Sequence, residues 1–398
     1  MKKTGHLLLS FAVAVFFLAV AAGCSSDTST RDSGDGTGSL TLFLADAPAQ
    51  NYLAVYVTIE EVQVHTPGNG EGQGGWKTVG TPGETYDLLE LVNGVVGKLG
   101  KTELDAGRYN QLRMILSDEP DGGENILGNE HPHPNYFIDD TGAKELKVPS
   151  GYQTGIKLVS GFTIYEGENT ELILDFDAHR SVVKAGKSGK YLLKPTIKVV
   201  GVYDSAIVAG TVTDDSDDLN PIADAIVSAQ VPNAESDADR VFTATRTADG
   251  GGYKMHLPPD DYAIIAYKGT TDQGSKIYGP ACRWLEAGYG VYDKENFILE
   301  EVDSVTLSID MENIFADATE EEAIFSIRAL KAIQCDNEEL TIEVASLFLQ
   351  HQDEDVVMVL PPGIYTIRAA TGEEVWQKTV NLEANETESI EFLSDHAK

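Results

Sequence analysis

Asp175, Asp177 and His179 stand two residues apart in Leu174-Asp-Phe-Asp-Ala-His179. On a strand, residues i, i+2 and i+4 share one face. This spacing predicts two carboxylates and an imidazole side by side, a set able to hold a divalent cation such as calcium. The same face equally suits carboxylates that pair with Lys157 or Lys194 on neighbouring strands. His131-Pro-His133 and the run Asp214-Asp-Ser-Asp-Asp218 also concentrate metal-ligating types, but neither has the spacing of a formed cation loop, and both read as solvated turns. Tyr278, Trp284, Tyr289 and Tyr292 cluster with Phe297 among Gly279, Gly288 and Gly290. Such aromatics stack on sugars or anchor a protein partner when exposed, and cap a core when not.

Three cysteines are too few for a disulfide scaffold. Cys24 follows Lys2, Lys3, the apolar run from Leu7 to Val20, and Ala21-Ala22-Gly23. A basic start, a short apolar stretch and small residues describe an export signal. A Cys directly after Ala-Gly is the bacterial lipobox, whose thiol is acylated and becomes the first residue of the mature chain. Ser25 and Ser26 follow, with no Asp directly after the Cys, which favours the outer membrane. Cys282 and Cys335 are then an even pair, free to oxidise outside the cytoplasm.

No Gly-x-Ser-x-Gly elbow, His-Glu-x-x-His helix or phosphate-binding loop is present, and carboxylate pairs are too common here to single out a glycosidase. The chain carries 64 Asp+Glu against 29 Lys+Arg, a net charge of −35. That balance excludes nucleic acid, whose phosphates need clustered cations, and argues against adsorption to an anionic membrane surface. Loss of residues 1–23 removes two lysines and leaves −37.

The elements that must position these residues are strands. Apolar and polar residues alternate in Leu40-Thr-Leu-Phe-Leu44, Ala54 to Val64, Gln111 to Leu116, Thr170 to Phe176, Leu192 to Val202, Ala225 to Val231, Tyr262 to Tyr267, Ser304 to Ile309 and Leu340 to Val344. Helical signal is confined to one short helix within Asp87–Leu99. Thr319 to Ile333 has a capping-box start but also alternates, with strand slightly ahead. One element recurs three times: Leu104-Asp-Ala-Gly-Arg-Tyr109, Leu257-Pro-Pro-Asp-Asp-Tyr262 and Leu360-Pro-Pro-Gly-Ile-Tyr365. A tight turn between Leu and an inward Tyr suits a β-sandwich, and three copies predict three sandwiches.

Two resemblances refine this. Leu44-Ala-Asp-Ala-Pro48, Val57-Thr-Ile-Glu-Glu-Val62, Trp76, Tyr86-Asp-Leu-Leu89, Leu104 to Tyr109, Pro149 to Leu158, Leu174 to Ala178, Ser181-Val-Val183 and Tyr191-Leu-Leu-Lys-Pro195 occur in the order of domain-of-unknown-function family 4382 of bacterial lipoproteins. The stretch from Gly38 to Tyr203 resembles that family, which implies an all-β envelope domain and no catalytic residues. Ile207 to Val212, Pro221-Ile-Ala-Asp-Ala225, Val227, Thr247-Ala-Asp-Gly250, Tyr253 and Leu257 to Tyr262 resemble the carboxypeptidase regulatory-like domain. Gly251, Gly252 and an acidic insertion at Asn233–Asp239 depart from its pattern. That resemblance implies a transthyretin-like, non-catalytic sandwich, sometimes counted with carbohydrate-binding folds.

The expected architecture is all-β. A lipoprotein signal peptide (1–23) and a flexible tether (24–38) of about 20 Å end-to-end precede three β-sandwiches at 39–204, 205–310 and 311–398. The expected function is a lipid-anchored, non-enzymatic binding or structural module of the cell envelope, with a glycan or protein ligand. The alternative is an envelope protein that binds divalent metal or handles a ligand.

Overall fold

The computed structural model describes residues 36–392 apart from 48–51, 67–73, 149–153, 186–189, 233, 235, 237–239, 270–275, 318–323, 351–354, 372–373 and 385. The export signal, Cys24 and nearly all of the expected tether lie outside the described residues. So does most of the acidic insertion at 233–239. Among the described residues the strand content is 67%, against 4% helix, so the architecture is all-β. Residues 33–398 make one compact unit. Among the described residues no helix is long and apolar enough to cross a membrane.

The first sandwich has thirteen strands: β1 (Thr37–Ala47), β2 (Ala54–Thr66), β3 (Gly75–Gly80), β4 (Glu84–Asp87), β5 (Gly97–Asp105), β6 (Gly107–Leu116), β7 (Asn135–Asp139), β8 (Gly142–Lys147), β9 (Ile156–Ile164), β10 (Asn169–Asp177), β11 (Val182–Ala185), β12 (Lys190–Leu193) and β13 (Ile197–Gly201). One sheet runs β13-β10-β1-β5, and the other β9-β6-β2-β7-β8-β12-β11, with β3 and β4 on β2. Leu40, Leu42 and Leu44 of β1 and Leu172, Leu174 and Phe176 of β10 face the core shared with β2 and β6. Glu60-Glu61 breaks the alternation of β2, and the pairing of β2 with β6 shifts register between Ile59 and Glu61. This bulge absorbs one residue, so Ile59, Val62 and Val64 all reach the core. The expected helix near Leu88 is a single 3₁₀ turn, Leu88–Glu90.

The second sandwich comprises β14 (Ala206–Asp214), β15 (Ile226–Gln230), β16 (Val241–Arg246), β17 (Gly252–Leu257), β18 (Asp260–Lys268), β19 (Ile277–Ala287), β20 (Tyr292–Lys294), β21 (Phe297–Leu299) and β22 (Glu301–Val302). Sheet β17-β14-β20, with β21 also on β14, faces sheet β16-β15-β18-β19-β22. Gly210 sits where β14 passes from β20 to β21. A Cβ there would stand 1.7 Å from the Glu295 carbonyl oxygen, so the position admits only glycine.

The third sandwich holds β23 (Val305–Asp310), β24 (Phe325–Cys335), β25 (Glu338–Leu349), β26 (Val356–Leu360), β27 (Gly363–Thr371), β28 (Glu374–Leu382) and β29 (Thr387–Glu391). Two boundaries move. Val305–Asp310, expected at the end of the second sandwich, pairs with β26 and β29 and buries Val305, Leu307 and Ile309 in the third core. At the other end, β1 begins at Thr37, inside the expected tether. Phe325–Cys335 is a strand.

Each Leu-to-Tyr element is a turn between strands, β5–β6, β17–β18 and β26–β27. Leu104, Leu257 and Leu360 are buried, as are Tyr109, Tyr262 and Tyr365. Gly107 and Gly363 hold the same place in their turns with φ of 149° and 139°, which a side chain rarely adopts. The Tyr109 hydroxyl donates to the Asp105 carbonyl at 2.9 Å, tying the first turn shut.

The sandwiches pack on one another. All five residues of β15 are buried, as are Tyr262 to Tyr267 of β18. Val227, Ala229, Ile264 and Ala266 face the second core, whereas Ile226, Ile265 and Tyr267 join the third. A sheet covered on both faces loses its period-2 signal. Cys282 of β19 and Cys335 of β24 are bonded, with Cα atoms 4.8 Å apart, closing a 53-residue span between the two sandwiches. Replacing both cysteines with alanine should cost about 2–4 kcal/mol, read as a lower urea midpoint. An unchanged midpoint would mean that packing alone holds the two sandwiches.

Candidate functional site

β10 ends at Asp177, and one helical turn, α1 (Ala178–Ser181), follows. The Asp177 carboxylate caps that turn: Oδ1 accepts from the Arg180 backbone N–H at 2.9 Å, and Oδ2 lies 3.4 Å from Arg180 Nε. The chain therefore leaves the strand before His179, and the three predicted ligands do not share a face. Asp175 stays on the outer face of β10, paired with Lys198 of β13, and burial pushes its carboxyl up to about 6. His179 points into the third sandwich, where Nε2 lies 3.2 Å from Ser346 Oγ and the ring meets Phe348 edge-on at 5.9 Å. Burial holds His179 below the usual histidine range, so it is neutral. Among the described residues no three His, Cys, Asp or Glu side chains are grouped to hold a metal ion. Capping the turn takes the Asp177 carboxylate, so the shared face expected for Asp175, Asp177 and His179 is not formed.

What α1 does reach is a junction of all three sandwiches. Arg328 Nε donates to Glu343 Oε2 at 2.9 Å, with both side chains about 95% buried (5% and 6% exposed). Gln230 of the second sandwich bonds both backbone groups of Glu343. It accepts from the amide N–H at 2.9 Å and donates to the carbonyl at 2.7 Å. Asp177, His179, Gln230, Glu343 and Ser346 line a cavity of ≈ 60 Å³. That space suits a few bridging waters rather than an organic ligand. Next to it Asp46 is buried. Its Oδ1 accepts from the Ala178 N–H at 2.9 Å, and Oδ2 has no protein partner. Burial raises its pKa well above the carboxylate range, with Asp177 and Asp175 adding to the shift.

His131 and the Asp214 run are structural. His131 Nδ1 lies 2.8 Å from the Tyr136 hydroxyl, pinning its loop on β7. Asp214 Oδ1 accepts from the Ser216 hydroxyl and the Asn220 N–H, ordering its own turn.

The four aromatics divide. Tyr278 belongs to the second core. Trp284 is half-buried at the seam with the third sandwich, where its backbone N–H donates to Asp336 Oδ2 at 2.7 Å. Tyr289 and Tyr292 are 75% and 64% exposed. A third tyrosine joins them. The Gly290 N–H donates to the Ser205 carbonyl at 3.2 Å, which sets the Tyr203 turn against the Tyr289 turn, and Tyr203 is 65% exposed. Beside them the outer face of β14 carries Ile207 between His256 and Tyr292, then Ala209 between Lys254 and Lys294. The sequence concealed this grouping because cross-strand partners are distant along the chain.

Residues 37–195 match the family model described as Domain of unknown function (DUF4382). No curated protein matches the chain. Among solved structures, the Bacillus anthracis TIE protein is 15% identical with a TM-score of 0.21, covering 90% of this chain and 51% of its own. The chain thus spans about half of that protein's length. A streptococcal ancillary pilin is 9% identical with a TM-score of 0.20, covering 89% of this chain and 98% of its own. The minor pilin GBS52 of Streptococcus agalactiae is 11% identical with a TM-score of 0.18, covering 47% of this chain and 95% of its own.

Two predictions follow from the junction. Glu343→Ala leaves Arg328 buried without its carboxylate and should cost about 3–5 kcal/mol in urea unfolding; a loss below about 1 kcal/mol would place the pair in solvent. Asp175 is raised from 3.8 to about 6 in the fold, so its contribution is fully present at pH below 3.8 and is lost as pH rises through 6. Asp175→Asn should therefore gain thermal stability over the native protein across that window. A stability difference that does not change with pH would contradict it.

Proposed function

We propose that this is a lipid-anchored protein of the bacterial cell envelope, held in the outer membrane through Cys24, whose three sandwiches act as a non-enzymatic binding or structural module. The observation that carries the reading is the Cys282–Cys335 bond. Such bonds persist in oxidising compartments, which agrees with the export signal read from residues 1–23. The bond also joins two sandwiches that already share buried apolar surface. The resulting body suits holding a surface at a fixed place. The exposed tyrosine corner is the part best suited to a glycan or protein ligand, because exposed aromatics gain most from being covered.

Cys24 should carry the acyl chains. In cells fed radiolabelled palmitate, the native chain should be labelled and sediment with outer membranes. Cys24→Ser should be unlabelled and released by washing. Equal membrane association and no label on either protein would refute the anchor.

A further inference from the structure

Residues 205–398 contain 38 Asp+Glu and only 12 Lys+Arg. An anion is repelled from nearly all of this half. Two of the twelve cations nevertheless lie on one outer face, Lys254 and Lys294, in register on either side of Ala209. Strands are about 4.8 Å apart, so the two Cα atoms are about 10 Å apart. Lys254 is held in place by the first sandwich, because its stem lies against Gly94, where an added Cβ would meet Cδ at 3.0 Å. Ala209 is a small floor between them. Tyr292 lies on the same face beside Ile207, and Tyr289 and Tyr203 stand in the two adjoining turns, all three well exposed. Asp293, between Tyr292 and Lys294, pairs with the inward Val208 and so takes the opposite side of β20, and Asp204, next to Tyr203, is directed at Gly201, where an added Cβ would stand 3.4 Å from its Oδ2.

We propose that this face binds an acidic polysaccharide, the tyrosines stacking on sugar rings while Lys254 and Lys294 pair with its carboxylates. The proposal rests on the binding-module reading above and specifies its ligand class. The lysine spacing is comparable with that of acid groups on alternate units of an extended uronic-acid chain. Open, shallow aromatic faces suit rings that stack. A protein hot spot would instead need an enclosed pocket with a rim that excludes water. Charge complementarity also localises the ligand, since the rest of the half is acidic.

The test is affinity electrophoresis of the exported chain, residues 25–398, in gels containing alginate, polygalacturonate or neutral dextran. Retardation is expected in the two acidic gels and not in dextran. Tyr289→Ala/Tyr292→Ala should weaken binding at least about ten-fold. Lys254→Gln/Lys294→Gln should weaken it similarly and reduce its dependence on salt. Tyr289, Tyr292 and Lys294 are exposed and Lys254 is half-buried, its glutamine replacement keeping part of the stem against Gly94; unchanged circular-dichroism melting confirms folding. Retardation in dextran that needs the tyrosines but not the lysines would overturn the acidic ligand and leave the binding module standing. No retardation in any gel, or retardation unchanged in both variants, would overturn the proposal. Competition of the acidic-gel binding by poly-glutamate at equal charge would show that any anionic polymer is taken, and would overturn the sugar specificity.

Discussion

The Arg328–Glu343 pair is the constraint on which the arrangement of the three sandwiches depends. Two charges withdrawn from water cost several kcal/mol each unless their partners are in place. Here both charges belong to the third sandwich and the other two close over them: Gln230 of the second holds the Glu343 backbone, and His179 of the first meets Ser346, the cross-strand partner of Arg328. Such a pair adds little net stability over an apolar filling; the two Gln230 bonds to the Glu343 backbone are what a slide of the second sandwich would break. The apolar surface around it, Ile226, Ile265 and Tyr267, is indifferent to small slides, so the polar groups set the register.

Much of this was legible in the sequence. Alternation located the strands wherever one face meets solvent, and the three Leu-to-Tyr turns gave one sandwich each. Ala225 to Val231 and Tyr262 to Tyr267 were located as strands too, but their burial on both sides was hidden, because alternation implies one face in solvent. It also misplaced Val305–Asp310, whose pattern suits either sandwich and whose partners, β26 and β29, lie far along the chain. Site reasoning was least reliable where local geometry intervened. Asp175, Asp177 and His179 have strand spacing, but a capping carboxylate ended the strand between the second and third of them. Of the four aromatics singled out, only Tyr289 and Tyr292 are well exposed; Lys294 shares the strand of Tyr292, but Tyr203 and Lys254 come from two other segments.

Charge takes on a different meaning once the strands are placed. The net −35 suggests a uniformly acidic skin. Its distribution is uneven: buried carboxyls at Asp46 and Asp175 are held toward the protonated form, and cations are gathered where the first two sandwiches meet. Against so acidic a background the few basic positions stand out as the places where an anion is least repelled.

The parallel pairings β1–β10 and β23–β29 bear on how the chain reaches this state. Ser39 meets Asn169 and Thr306 meets Thr387, while Lys184 bridges to Leu349. Contacts of such long sequence separation make folding slow. The third sandwich cannot close until β29 has been synthesised. A chain with this contact order keeps one edge of Val305–Asp310 unpaired until residues 387–391 have emerged, the condition in which a polypeptide can still be threaded through a narrow pore.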